Sequence, residues 1–128
     1  MEVIIEKIKH VDILKIQKLL NNSTAIVADN PTREVLSHIG NGVALKMVTD
    51  GKITGLWCSR DMEEFTSLSY FYIDPSMRST LWVLKLFKIG FGMIDTSKPL
   101  LIETKDTTGF EKYVEHVEGN IYSFKGLR

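Results

Sequence analysis

The chain is poor in the features that announce a specialised protein. It has a single cysteine, Cys58, so no internal disulfide framework exists and a reducing compartment is expected. Its Trp-Cys-Ser setting suits a small core residue better than a nucleophile. No apolar run approaches the roughly 20 residues needed to span a bilayer. Sixteen basic residues cancel sixteen acidic ones, so no whole-molecule field draws nucleic acid or an anionic membrane. His10 and His38 have no ligand-spaced partners, and His116, a candidate base between Glu115 and Val117, reads as a solvated residue on an exposed helix face. No metal site is therefore expected. Met1–Ile8 mixes charges into its apolar run and does not read as a signal peptide. Repeats, low-complexity tracts and linkers are missing too. What remains is the expectation of one soluble, cytoplasmic domain over residues 1–128, with 44% hydrophobic and 25% charged residues. A domain of that size buries roughly two-thirds of its unfolded surface and needs no staples.

What is present reads as alternating strands and helices. Val3-Ile4-Ile5 opens a short strand ending near Lys9. Ile13, Ile16, Leu19 and Leu20 then recur at helical spacing, with Asp12 as cap and Asn21-Asn22-Ser23 as stop. Asn30-Pro31 signals a second, short helix carrying Val35, Leu36 and Ile39 inward and ending at Gly40-Asn41-Gly42. A strand from Val43 to Val48, the turn pair Asp50-Gly51, and a partner from Ile53 to Cys58 make a hairpin. A third strand, Thr66 to Ile73, follows an acidic connection at Asp61–Phe65, so an antiparallel meander is expected.

Leu81 to Ile94 is the longest apolar helical stretch, interrupted only by Lys85 and Lys88. A helix apolar nearly all round is buried on more than one side, so it should pack on the sheet and also on another element or subunit. Pro99–Glu103 reads as a short buried parallel strand. Thr108-Gly109-Phe110-Glu111 has capping-box spacing and predicts a fourth helix carrying Phe110, Tyr113, Val114 and Val117. Glu118-Gly119-Asn120 then turns the chain into a last strand, Ile121–Phe124. The class is α+β: a mixed, mostly antiparallel sheet of about six strands with four helices, and a right-handed strand–helix–strand crossover.

The stretch that organises the rest is Ser69–Thr80. A strand of aromatic and β-branched residues runs into Asp74-Pro75, turns, and opens the long apolar helix. Such a junction aims free backbone N–H groups, and the positive end of the helix dipole, at one point. Arg78 adds a fixed positive charge beside it.

This element order, with Tyr72-Ile73-Asp74-Pro75 leading to Arg78, resembles the GNAT acyltransferase superfamily, and over nearly the whole chain. That family's strand–turn–helix carries Arg/Gln-x-x-Gly-x-Gly/Ala. Here Ser79 and Thr80 fill the free positions, while Leu81 and Val83 stand where the glycines would be. Glycine there lets backbone approach a pyrophosphate closely. The family's usual seventh strand reads as short or missing. The resemblance implies a three-layer fold and transfer of an acetyl group from acetyl-CoA to an amine on a small molecule or a protein. It also implies cofactor contacts from Tyr72, Ile73, Arg78, Ser79, Thr80, Leu81, Trp82 and Val83.

Tyr113 is the implied proton donor to the departing thiolate, although the family's Tyr-x-x-x-Gly-Phe spacing is not kept, and a buried core tyrosine is the alternative. Glu103, ending a buried strand beside the expected cleft, is the carboxylate placed to take the amine's proton, ahead of Glu63 and Glu64. A second class of function stays open. Short chains with altered glycine turns are similar to bacteriophage-encoded GNAT-like proteins that bind or assemble without catalysis, in the host cytoplasm or with the virion. The apolar third helix then offers a face for a homodimer or assembly partner.

Overall fold

A computed structural model of the protein describes residues 1–21, 39–105, 107 and 111–126. Seven strands form one sheet: β1 (Val3–Lys7), β2 (Gly42–Thr49), β3 (Lys52–Asp61), β4 (Thr66–Ile73), β5 (Leu100–Glu103), β6 (Val114–Glu118) and β7 (Ile121–Phe124). Their spatial order is β1-β2-β3-β4-β5-β7-β6. All neighbours are antiparallel except β4 and β5. Helix α1 (Ile13–Asn21) lies on one face and α2 (Trp82–Phe91) on the other. Short 3-10 turns cover His10–Asp12, Pro75–Met77 and Glu111–Tyr113.

The meander forms as the alternation implies. Asp50 and Gly51 take φ of 49° and 81°, the two positive values a type I′ hairpin turn requires. Ile53–Ser59 is buried without a break, because the sheet is covered on both faces. One core packs Leu45, Met47, Trp57 and Leu68 against Leu86 and Phe87 of α2. The other packs Ala44, Leu56, Cys58 and Tyr70 against Ile16 and Leu20 of α1. Burial pushes the Cys58 thiol up to about 12, so it is a core residue with no thiolate to offer.

Two expectations are corrected. No fourth helix carries Tyr113, Val114 and Val117: a single 3-10 turn ends at Tyr113 and the chain continues as β6. The sheet consequently has seven strands rather than six, and the seventh is present. The reason is the Gly119-Asn120 turn, with Gly119 at φ 52°, which pairs Glu118 with Ile121 and closes β6 and β7 into a hairpin. Of the Asn30-Pro31 helix only its end, 39–41, is described, and that end is helical. The rest of that helix, the Asn22-Ser23 stop and the Thr108–Phe110 cap lie outside the described residues.

Helix α2 is also less enclosed than its composition implies. Leu86, Phe87 and Gly90 are buried, but Leu84 and Ile89 on the helix, and Leu81 and Met93 flanking it, are exposed. Among the described residues no helix is long and apolar enough to cross a membrane.

Candidate active site at the parting of β4 and β5

Strand β4 is irregular where the site begins. Cys58 of β3 pairs with Tyr70 and Ser59 pairs with Leu68, so Ser69 is an extra, bulged residue. The bulge reverses the strand's facing. Leu68, two residues before Tyr70, packs in the α2-side core, whereas Tyr70 and Tyr72 pack on the α1 side. Phe71 and Ile73 return to the α2 side.

The parallel ladder between β4 and β5 is short. It runs from Thr66 and Leu100 to Leu68 and Ile102, after which β4 continues to Ile73 and β5 ends at Glu103. Strand β7 takes the other side of β5 through Leu101, Ile102 and Glu103. Beyond the last pair the sheet therefore opens, on the face covered by α2. A cavity of about 260 Å³ fills the opening. Strands contribute Phe71, Ile102, Val114 and Phe124 and α2 contributes Val83, Leu84 and Phe87, while the exposed Arg78 and Leu81, with half-buried Thr80 and Tyr113 beside them, mark its mouth.

The mouth is held by the β4–α2 turn. Asp74 donates its backbone N–H to the Thr54 carbonyl at 2.7 Å, fixing the strand end. Its carboxylate accepts from the Ser76 backbone N–H at 3.1 Å and from the Ser76 hydroxyl, and these bonds hold its pKa below the usual range. Arg78 Nε donates to the Ile73 carbonyl at 2.9 Å, which orients the guanidinium across the strand end. Among the described residues no carboxylate forms an ion pair with it. Thr80 Oγ1 donates to the Met77 carbonyl at 2.7 Å and accepts from Trp82 N–H at 3.3 Å, so this hydroxyl caps the helix start. The next amides, Val83 and Leu84, belong to the first turn and have no intrahelical acceptor.

Neither a protein-family model nor a curated protein sequence matches the chain. Solved structures do match. N-acetylglutamate synthase from Neisseria gonorrhoeae, complexed with coenzyme A and L-arginine, superposes with a TM-score of 0.72 at 14% identity over 98% of this chain. A GNAT family acetyltransferase from Brucella melitensis, in complex with acetyl-CoA, gives 0.68 at 12% identity over 96% of this chain and 87% of its own. The PaiA N-acetyltransferase from Thermoplasma acidophilum, in complex with coenzyme A, gives 0.64 at 15% identity over 96% and 97%. The protein has the fold of the GNAT acetyltransferases. It spans only 29% and 34% of the synthase chain in two structures of that enzyme.

Within this GNAT fold the residues singled out from the sequence divide cleanly. Arg78, Thr80, Leu81, Val83 and Tyr113 converge on one cavity. Tyr113 reaches it from the end of a 3-10 turn, half-buried, with Lys112 Nζ 5.0 Å from its ring centroid. Leu81 is 84% exposed and Val83 packs against the α2-side core, so their bulk stands at the mouth and on one wall. Ser79 is exposed and outside the cavity lining. Trp82 packs on the core with Lys85 Nζ 4.6 Å over its ring. Tyr72 turns its side chain to the α1 layer, where burial, and secondarily Asp74, raises its pKa. Ile73 contributes its carbonyl, already accepting from Arg78, and a buried side chain. Glu103 pairs with Ile121 at the end of β5 and is not among the lining residues.

Sequence reasoning missed the walls. Phe71, Phe87 and Phe124 form an aromatic cluster, with Phe87 centroids 5.5 Å from Phe71 and 4.9 Å from Phe124. Apolar residues at regular spacing carry no mark that separates a cavity wall from solid core.

Proposed function

We propose that the chain is a GNAT-fold N-acyltransferase that uses acetyl-CoA and an amine acceptor, in a cytoplasmic setting. The observation that carries this reading is the convergence of a helix start, an oriented arginine and a phenol on one cavity where two parallel strands part. The acetyl- and coenzyme A complexes of proteins with the same fold support it.

The residues present fit such a ligand. Arg78 and the first-turn amides of α2 offer positive potential at the mouth, suited to a pyrophosphate. Leu81 points to solvent there, so its bulk borders the approach without filling it. When bound, acetyl-CoA supplies the thioester carbon that a neutral amine attacks directly. The backbone edge of β4 through Tyr72 and Ile73 orients the ligand's arm. Tyr113 holds a phenolic proton at the cavity mouth, for the sulfur that departs. Glu103, outside the cavity, acts on the amine's proton only through water.

Calorimetric titration of acetyl-CoA and CoA tests this reading. Saturable binding is expected, weakened about 10-fold or more in Arg78→Ala by loss of a charge-assisted contact. Tyr113→Phe is expected to keep binding and lower turnover by about 100-fold. No heat at millimolar ligand overturns the reading. In that case the exposed Leu81, Leu84, Ile89 and Met93 favour the second reading, a non-catalytic assembly protein of the phage-encoded kind that self-associates through α2. Sedimentation at several concentrations measures that association directly.

A further inference from the structure

The cavity's chemistry also suits a second ligand class, one that carries no nucleotide. Among the described residues eleven line the cavity; eight of these carry purely hydrocarbon side chains, and none is a carboxylate. The polar groups are three, and Thr80 spends its hydroxyl on the helix start, donating to Met77 and accepting from Trp82. That leaves the Arg78 guanidinium and the Tyr113 phenol, both at the mouth, with Lys112 beside the latter. Backbone along β4 can serve a ligand's amides, but the buried part of the lining, Phe87, Ile102 and Val114, presents only side-chain carbon. A polar group carried that deep loses its hydrogen bonds to water and finds no replacement. A plain hydrocarbon loses nothing and gains the burial. Charge at the rim and carbon within describe an amphiphile with one anionic head.

We propose that this cavity binds a linear monocarboxylate, its chain against Phe87 and Phe124 and its carboxylate on Arg78. Volume sets the length. An apolar cavity of about 150 Å³ accepts a six-carbon ring, so about 260 Å³ has room for about ten carbons. The guanidinium is fixed for the role, since the Nε bond to the Ile73 carbonyl leaves its Nη groups as the outward donors. The inference does not depend on acyl transfer, although both ligands share the Arg78 mouth and must exclude each other.

The test is a calorimetric series of butyrate, hexanoate, octanoate, decanoate and dodecanoate, each below its micelle concentration, with decyltrimethylammonium as the same chain of opposite charge. One carboxylate per chain is expected, with affinity rising about fourfold per methylene and levelling near ten carbons. Arg78→Gln should weaken decanoate about 10- to 100-fold. Leu84→Glu, on the exposed side of α2, should abolish binding while circular dichroism and melting stay unchanged. Binding that ignores chain length, equal binding of the cationic amphiphile, or an unchanged Arg78→Gln variant would each overturn the proposal. Acetyl-CoA titrated in parallel separates the two readings. Decanoate binding without CoA binding retains this inference alone, CoA binding without decanoate sinks it alone, and competition between them confirms the shared mouth.

Discussion

Lys46 is a charged residue set in the interior of a sheet, and its surroundings explain how that is tolerated. Its Nζ lies 2.8 Å from Asp12 Oδ2 and 3.3 Å from Glu6 Oε1, and both the Lys46 and Asp12 side chains are only 10% exposed. Asp12 Oδ2 also accepts from the Lys9 backbone N–H at 2.9 Å, so one carboxylate ties the entry of α1 to β2. Burial by itself raises the Asp12 carboxyl, but the Lys46 and Lys9 hydrogen bonds and nearby positive charge bring it below its ordinary value. Burial lowers the Lys46 amine, and the bonds and charges of Asp12 and Glu6 more than reverse that, leaving it raised. The signs define a window. A depressed carboxyl contributes stability that is present above its unfolded pKa, about 3.9, and is lost as pH falls through the folded value. A raised amine contributes stability that is present below its unfolded pKa, about 10.4, and is lost as pH rises through the folded value. Lys46→Met leaves Asp12 buried without its partner and should cost about 3–5 kcal/mol near neutral pH, whereas Asp12→Asn combined with Lys46→Met should cost much less. Denaturant unfolding measures both. The advantage of the wild type over the double variant should shrink at both pH extremes, and an advantage that persists below the folded Asp12 pKa would contradict the assignment.

At the scale of elements, the decisive contact is α2 on β3. Trp57 is fully buried, donates Nε1–H to Ser59 Oγ at 2.9 Å, and meets Phe87 edge-on at 5.2 Å. The helix crosses this ring at Gly90, where an added Cβ would lie 2.2 Å from a ring carbon. A glycine inside a helix costs about 1 kcal/mol relative to alanine, and here the close approach explains its presence. Gly90→Ala regains that amount and introduces an overlap at the severe end of the roughly 1–3 kcal/mol range for overpacking, so a net loss of about 2 kcal/mol is expected. Gly92→Ala, whose nearest neighbour is the Lys88 carbonyl at 3.3 Å, serves as the control and should be near neutral. A stabilised Gly90→Ala in chemical denaturation would show that α2 lifts freely from the sheet. The same elements show where sequence reading succeeds and stops. Asp50-Gly51, Asp74-Pro75 and the start of α2 were legible, because turn chemistry is local. Strand β6 was not, because Tyr113, Val114 and Val117 happen to match helical spacing; the Gly119-Asn120 hairpin turn outweighs it. The Ser69 bulge was hidden for another reason. Both faces of β4 are covered, so a reversed facing changes no contrast of polar and apolar residues. Of the cavity lining, Arg78, Thr80, Leu81 and Val83 were named from their places in the strand–turn–helix and Tyr113 from a resemblance whose spacing it does not keep, whereas Phe71, Phe87 and Phe124 required the fold.

For the whole molecule, the sheet divides into a firm half and a looser one, and the cavity lies between them. Strand β3 sits between β2 and β4 with both faces covered, and Ile53–Ser59 is buried throughout. Strand β6 is an outer edge. Four of its five residues are exposed, Val117 is bulged out of register with β7, and Glu115 and Glu118 charge its rim. Charge and a bulge are devices that keep an edge from pairing with other chains, at the cost of local stability. Amides of Ile53–Ser59 should therefore exchange with solvent deuterium only through global unfolding, whereas those of Glu115–Glu118 should exchange through local opening at least about 10-fold faster after correction for intrinsic rates. The cavity adds a second expectation. Phe71 and Phe87 belong to its firm wall, but Tyr113, Val114 and Phe124 come from the β6–β7 hairpin and its approach. A ligand that fills the cavity bridges the halves, so it should slow exchange in β6 and β7 far more than in β3, whose protection is already limited by global unfolding. Equal protection of β3 and β6 in the free protein, or ligand protection spread evenly over the sheet, would refute this division.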